Sequence, residues 1–321
     1  MLVPVLLFLL GFALLIKGGD WFVDGATGIA HRFHLPELLI GATVVSIGTT
    51  LPEVMVSSQA AILGNSGISY GNAIGSVICN TSLIAALTVA IRPSAVNRKA
   101  LVFPVISFFT AAAIYAGIAY AFGRFTRWNG ILFLAMFVLY MVITCLQMKK
   151  HPDEPAEESE EKTERALWQE LVLLVVGAAA IAVGANLLVN NGTLIAQALG
   201  VPDSVIGLTM VALGTSLPEL ITAITALIKG HSALSLGNII GANLFNIVLV
   251  SGAAITISPF AIPVEKTLAG RNASLLVDIP LMLCVMAILC LPALATGRLK
   301  RWQGILLLCL YASFTVFQFV T

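Results

Sequence analysis

The sequence predicts an all-α polytopic membrane protein with ten transmembrane helices, arranged as two inverted five-helix repeats. Three observations support this prediction. The mean hydropathy is +0.99, only 10% of the 321 residues are charged, and the second half of the chain repeats the first. Soluble domains carry about 25% charged residues, so this composition lies outside their range. The apolar runs are long and continuous, which excludes the short alternating strands of a membrane β-barrel.

Ten apolar runs are each long enough for a helix to cross a bilayer, which takes roughly 20 residues. The first run lacks a basic segment before it and a cleavage pattern after it, so we expect a retained span and not a signal peptide. Cysteines fall inside the runs without C-x-x-C pairing, which argues against disulfides and a zinc site. We place the spans near residues 2–24, 37–61, 68–91, 101–121, 129–148, 168–190, 204–228, 234–257, 274–295 and 302–320.

Basic residues are distributed unevenly between the connections. One side would carry Arg32, Arg92, Arg98, Lys99, Lys149, Lys150, Lys162, Arg165, Lys229, Arg298, Lys300 and Arg301, and the other only Arg124, Arg127, Lys266 and Arg271. The positive-inside rule then predicts a multi-pass protein of the cell membrane with both termini extracellular. The formal net charge of +1 gives no sign of a nucleic-acid partner. We expect the lipid bilayer as the surroundings and a monomer, with an oligomer as the alternative.

The connection at residues 149–167 is the one segment with a soluble composition. It contains KKHPDEPAEESEEKTER, which is rich in glutamate and proline and almost free of apolar residues. Such a segment cannot bury a core, so we expect an acidic, disordered cytoplasmic linker. Calcium regulation through this run is a weaker alternative, because it lacks the spaced ligands of a calcium loop.

An internal duplication accounts for the two halves on either side of this linker. A shift of 166 residues aligns them without a gap over some seventy positions, so that GTTLPE at residues 48–53 meets GTSLPE at residues 214–219. The sequence therefore predicts a first five-helix repeat at residues 1–148 and a second at residues 168–321. Because five is odd, the second repeat enters the membrane from the opposite side. Inverted repeats are common in secondary transporters, whose sites lie near the midplane between the repeats.

The repeated motif places a carboxylate at membrane depth in each half. Such a group is costly there and is a functional candidate by default. Thr49 and Glu53 are four residues apart, on one helix face, and Pro52 deprives the carbonyl of Gly48 of its helical partner. Carboxylate, hydroxyl and carbonyl oxygens suit calcium and sodium, not zinc or copper. If Glu53 and Glu219 meet, one Ca²⁺ or two monovalent cations would neutralise the pair.

A second repeated segment adds amides and a hydroxyl. It reads GNAIGSVICN at residues 71–80 and GNIIGANLFN at residues 237–246, with glycines spaced for close helix approach. Asn80 and Asn246 have the alternative interpretation of hydrogen bonds between helices. Asp20 and Asp24, whose counterparts are Asn186 and Asn190, are better explained by structural or gating roles.

These paired segments resemble the two alpha-repeats of the sodium/calcium exchanger family, within the cation/calcium antiporter superfamily, and especially its compact prokaryotic members. The match covers essentially the whole chain, and the duplicated motif is highly specific. The resemblance implies that Glu53 and Glu219 are central acidic ligands shared by calcium and sodium. It also implies further ligands at Thr49, Thr215, Thr50, Ser216, Ser76, Asn80 and Asn246, with backbone carbonyls from Ser46 and Ala212.

Two departures from the family pattern affect the expected ions. Ala242 stands where Ser76 has a hydroxyl, which would weaken one sodium site or make it depend on water. Asn246 stands where potassium-dependent relatives carry aspartate, which argues against potassium co-transport. The proton-coupled branch has asparagine after the motif glycine, whereas this chain has Thr49 and Thr215, so sodium coupling is favoured.

We therefore expect an antiporter that exchanges Na⁺ for Ca²⁺ by alternating access, with these two ions as substrates and no cofactor. A proton/calcium antiporter is the closest alternative, and a passive cation channel lined by carboxylates and carbonyls is a more distant one. An enzyme is not expected, because the chain has no H-E-x-x-H and no nucleophile paired with a base.

Overall fold

Ten helices make up almost all of the computed structural model, which describes residues 2–150, 165–199, 214–264, 267–268 and 270–320. Within those residues eight helices are long and apolar enough to cross a membrane, and a shorter apolar helix follows Ser216. They are α1 (Leu2–Arg32), α2 (Glu37–Ile62), α3 (Ser66–Ile91), α4 (Arg98–Phe122), α5 (Arg127–Lys150), α6 (Leu167–Ala198), α7 (Leu217–Ile228), α8 (Ser232–Ile257), α9 (Ser274–Thr296) and α10 (Arg301–Val320). A small antiparallel hairpin pairs β1 (Thr267–Leu268) with β2 (Arg271–Asn272).

The helices agree with the predicted all-α fold, but some extend beyond the apolar runs. α1 reaches Arg32 and α6 reaches Ala198, about two turns past the predicted ends at residues 24 and 190. A helix can continue past the edge of an apolar stretch where its polar side chains find partners. In the added turns of α1, His31 contacts Glu37 and Arg32 contacts Glu170. The predicted span 204–228 and the linker 149–167 fall partly outside the described residues.

Two glycine contacts establish that the repeats are inverted. A Cβ atom on Gly11 would lie 2.8 Å from the carbonyl oxygen of Gly184, and one on Gly18 would lie 3.0 Å from that of Gly177. As the residue number rises along α1 it falls along α6, so these helices are antiparallel. Gly11 and Gly177 are equivalent in the repeat, as are Gly18 and Gly184. Each glycine thus meets the counterpart of the other, as a two-fold axis between inverted copies requires.

The helix α8 lies at the centre of the molecule, with 83% of its most apolar window buried. Its glycines face the first turns of α2: a Cβ on Gly237 would contact the backbone carbonyl of Leu38, and one on Gly241 would lie 2.6 Å from the Cα of Ala42. This close approach brings the second polar segment of the second repeat against the motif helix of the first.

Within the described residues four turns of π-helix interrupt or begin the helices, and three of them adjoin the polar segments. In α2 the π-turn covers Gly41–Val45, in α3 Asn80–Ala85 and in α8 Asn246–Val250; the fourth is at Ser274–Asp278. The turns in α3 and α8 begin at asparagines that the repeat makes equivalent. Single π-turns widen a helix locally and are frequent at functional sites.

The connections that carry the basic residues meet at one end of the bundle. Arg92 donates to the carbonyl of Leu227 at 3.3 Å, Arg301 to that of Ile91 at 3.4 Å, and Arg32 to the carboxylate of Glu170 at 3.1 Å. Arg127 lies among the other connections and donates to the carbonyl of Thr256. We refer to the first side as the basic end.

Candidate functional site

Two glutamates from opposite repeats form the centre of the candidate site. Glu53 lies in the middle of α2, and Glu219 lies in the first turn of α7, directly after Pro218. Both side chains are fully buried, and none of their carboxylate oxygens has a hydrogen-bond partner among the described residues. The two carboxyl groups lie near enough to each other for the charge of Glu219 to act on Glu53. Buried carboxylates need pairing or a cation, so this pair is a strong candidate for binding one.

Hydroxyl groups from both repeats surround these carboxylates. Thr49 Oγ1 is 3.4 Å from the carbonyl oxygen of Ser46 and donates at 3.2 Å to Oδ1 of Asn238. Thr49 and Thr50 both lie beside the carboxyl group of Glu219, in the other repeat. The buried hydroxyls of Thr50 and Ser216 have no partner among the described residues. These hydroxyl oxygens are therefore free to accept a cation.

The equivalent asparagines at the π-turns are also buried without partners. Asn80 and Asn246 are both fully buried, and neither the amide oxygen nor the amide nitrogen of either residue has a hydrogen bond within the described part of the chain. The alternative interpretation, hydrogen bonding between helices, requires such partners and is not supported. An unpaired buried amide oxygen is instead available as a ligand.

The remaining predicted residues differ in their burial and in their hydrogen bonds. Ser76 is buried in α3, and Thr215 is half-buried in the turn before α7. Ser46 is buried, and its hydroxyl oxygen lies 2.7 Å from the carbonyl of Gly41 and 2.9 Å from that of Asn238, so its one hydrogen is shared between these two acceptors. Ala212 lies outside the described residues, and its assignment stays a prediction.

A pair of asparagines with roles in the site was not assigned from the sequence. Asn72 donates to the backbone carbonyl of Glu53 at 3.2 Å and to the hydroxyl of Ser57 at 2.8 Å, which fixes the turn that carries Glu53. Its counterpart Asn238 accepts from Thr49 across the repeats, and its amide nitrogen is buried without a partner in the described residues. The duplicated Gly-Asn at 71–72 and 237–238 was the signal that could have identified both.

Cys79 is a further neighbour of the centre. It is buried on α3 near Ser216, and it lies close enough to Glu53 and Glu219 for their charges to act on its thiol. On its other side the sulfur is 3.8 Å from the hydroxyl of Tyr311 in α10. The repeat gave no signal for this position, because its counterpart is Phe245.

A buried pair of carboxylates, lined by oxygen donors and shared between two inverted repeats, is typical of membrane transporters for cations. The model of the family described as sodium/calcium exchanger protein matches residues 3–146 and 170–320. The chain belongs to the sodium/calcium exchanger family. It is a multi-pass membrane transporter of the cation/calcium exchange class and not an enzyme.

Individual relatives match over their full length. The chain is 36% identical over 327 residues to the putative antiporter CaxA of Alkalimonas amylolytica, covering 100% of this chain and 99% of that protein. It is 32% identical over 354 residues to the sodium/calcium exchanger MaX1 of Methanosarcina acetivorans, covering 99% of each. A solved structure of the sodium-calcium exchanger NCX_Mj, soaked with Na⁺ and Sr²⁺, superposes with a TM-score of 0.80 at 34% identity, over 98% of each chain.

Proposed function

We propose that this protein exchanges Na⁺ for Ca²⁺ across the membrane, using Glu53 and Glu219 as ligands that both ions share. The observation that carries this proposal is the pair of fully buried carboxylates, one from each repeat, without hydrogen-bond partners in the described structure. A single Ca²⁺ neutralises their two charges. Because the pair supplies only two negative charges, a full load of sodium and a calcium ion exclude one another.

The neighbouring oxygens fill out the proposed ligand set. Calcium would take the two carboxylates together with oxygens of Thr49 and Thr215, in the flexible oxygen coordination that it accepts. Sodium ions would use the same carboxylates and the flanking oxygens. We assign those flanking positions to Thr50, Ser216, Ser76, Asn80 and Asn246, and to the carbonyls of Ser46 and Ala212.

Alternating access would follow from a movement of α1 and α6 against the other helices. These two helices make by far their most extensive contacts with each other, and their glycines bring the backbones together along the crossing. They can therefore move as one body. An exchange of three Na⁺ for one Ca²⁺ would carry one net charge per cycle, and the membrane potential would then contribute about 2.3 kcal/mol per 100 mV.

We further propose that the basic end is cytoplasmic, which places both termini outside and the 149–167 linker inside. The grouping of Arg32, Arg92 and Arg301 at one end of the bundle supports this orientation. The division into repeats at residues 1–148 and 168–321 and the monomeric state belong to the same proposal.

Calcium-45 uptake into proteoliposomes tests the coupling ion. We expect an outward sodium gradient to drive uptake and an equal proton gradient to leave it at the level without a gradient. Uptake driven by protons alone would overturn sodium coupling and favour the proton/calcium antiporter, with Glu53 and Glu219 carrying the protons. Steady flux independent of any counter-ion would favour a channel.

A variant of Ser76 tests whether a flanking sodium position is distinct from the calcium site. The substitution Ser76→Ala removes one buried hydroxyl and reproduces the residue that the second repeat already has at Ala242. We expect the half-saturating sodium concentration to rise by roughly threefold to tenfold, as for one lost hydrogen-bonding oxygen, with a smaller change for calcium. Equal changes for both ions would place Ser76 in the shared site.

A further inference from the structure

Among the described residues, two groups of ionic contacts lie at the basic end, and they join different parts of the molecule. The first group holds α1 and α6 to each other. Arg32 of α1 pairs with Glu170 of α6 at 3.1 Å and donates to the carbonyl of Arg165, and Arg165 lies 3.9 Å from Asp24. These contacts lie within the helix pair that the proposed movement displaces as one body, so they would survive that movement.

The second group includes the contacts that cross from this helix pair to the rest of the bundle. Lys229, at the end of α7, lies with its ammonium nitrogen 2.6 Å from Oδ1 of Asp24 and 3.5 Å from Oδ1 of Asp20, and it donates to the carbonyl of Asp20 at 3.1 Å. Beside it, Oε1 of Glu37 in α2 lies 3.3 Å from Nε2 of His31 in α1 and 2.8 Å from Nδ1 of His231. We call these six residues the ionic latch.

Part of the latch is charged where the equivalent positions of the other repeat are neutral. The counterparts of Asp20, Asp24 and Lys229 at the opposite end are Asn186, Asn190 and Leu63, all of them uncharged. Asn190 donates to Asn186 within α6, and Leu63 is exposed. The contact of Lys229 with Asp20 and Asp24 is therefore charged at one end and neutral at the equivalent position of the other, whereas Glu37 has an acidic counterpart, Asp203, outside the described residues.

This asymmetry has an energetic consequence. If the two repeats were identical, the conformations open to each side of the membrane would have equal free energies. Only residues that break the symmetry can favour one of them, and a ligand or contact shifts such an equilibrium by its difference between the two states. Ionic contacts that cross the moving boundary at the basic end stabilise the state that is closed there.

We infer that the ionic latch holds the α1–α6 pair against the core at the basic end and thereby sets the resting conformation as closed on that side. This inference rests on the proposed alternating access. Asp24 and Lys229 carry it, because theirs is the shortest crossing contact and their side chains are only 35% and 24% exposed. They are positioning residues and touch no transported ion.

The test is a double-mutant cycle with Lys229→Gln and Asp24→Asn in the full-length protein. The control is Lys17→Gln, which removes a charge from α1, the helix that carries Asp24. The side chain of Lys17 is 68% exposed, and its contact with Asp20 is long, at 4.0 Å. Hydrogen–deuterium exchange of the last turns of α1 measures release of the latch without any transport. Calcium uptake measured separately from each face of oriented vesicles measures its effect on access.

We expect both single variants to speed exchange at the end of α1 by about twofold to fivefold, the range for a partly exposed ion pair. The half-saturating calcium concentration should fall by a similar factor at the basic face and rise at the other. The double variant should change exchange by less than the sum of the two single effects, because both variants remove the contact between Asp24 and Lys229. A general loss of folding would not change the half-saturating calcium concentration in opposite directions at the two faces.

Unchanged exchange in both single variants would overturn the latch, as would additive effects in the double variant or equal effects of Lys17→Gln. If Lys229→Gln does not fold, Asp24→Asn against Lys17→Gln gives the same comparison. If the unmodified protein carries no calcium at all, the proposed function fails, while hydrogen exchange still decides whether the latch exists.

Discussion

Glu53→Gln and Glu219→Gln are each expected to abolish sodium-driven calcium uptake, with a loss of at least about a hundredfold. Glutamine keeps the shape of the side chain and removes one of two buried charges. A divalent cation in the candidate site would then be left with a net charge in a low-dielectric environment, and removing one partner of a buried ionic contact costs about 3–5 kcal/mol. That free energy corresponds to a more than hundredfold loss of affinity.

The same variants should remain folded, and thermal denaturation in detergent distinguishes the two effects. Calcium should raise the melting temperature of the unmodified protein, because a ligand that binds only the folded state stabilises it. We expect that calcium-dependent shift to vanish in both variants, while the melting temperature without calcium stays equal or rises. Asp278→Asn is the matched control, because Asp278 is a carboxylate in α9 that contacts Gln318 at 3.3 Å, outside the candidate site. Normal uptake by either glutamine variant would refute the assignment.

Gly237→Ala is expected to be the most damaging single-methyl addition in α8. The new Cβ would press on the carbonyl oxygen of Leu38 and lie 2.8 Å from its carbonyl carbon and 3.0 Å from its Cα. These are backbone atoms, so no side chain can rotate away and the two helices must separate. Overpacking of this kind costs about 3 kcal/mol, and the displacement also moves Asn238, which accepts from Thr49.

A comparison with Gly117→Ala checks this expectation. Gly117 lies on the exposed face of α4, and apart from its chain neighbours and its own helix backbone no atom of the described structure lies within 4 Å of a Cβ placed there. We expect Gly117→Ala to leave the melting temperature unchanged, whereas Gly237→Ala should lower it by several degrees and reduce calcium uptake. Equal stability of the two variants would contradict the close approach of α8 to α2.

Much of the fold could be predicted because it depends on averages over many residues. Apolar length indicated the helices, and the 166-residue register indicated the inverted repeats, which the reciprocal contacts of Gly11 and Gly18 confirm. The π-turns at Asn80 and Asn246 could not be predicted. A π-turn changes the hydrogen-bonding register of a helix by one residue, and the hydrophobic pattern around it remains compatible with an ordinary helix.

The candidate site was predictable where the chemistry is repeated and not where it depends on packing. Glu53 and Glu219 come from duplicated motifs in an apolar setting, and the structure brings them together. Identical L-P-E sequences nevertheless take different local forms: the helix α2 continues through Pro52, whereas α7 begins beside Pro218. The contact of Cys79 with Tyr311 could not be predicted, because it depends on where α10 packs in the bundle, and no local sequence pattern gives that position.

The crossing of α1 and α6 also bears on how such a protein could arise. Because Gly11 meets the counterpart of Gly18 and Gly18 the counterpart of Gly11, one surface serves both halves, as in the isologous interface of a homodimer. An ancestor of half the length needed only this self-complementary surface and the ability to insert in both orientations. Gene fusion would then have fixed one copy in each orientation, and only afterwards could charges such as Lys229 accumulate in one half alone.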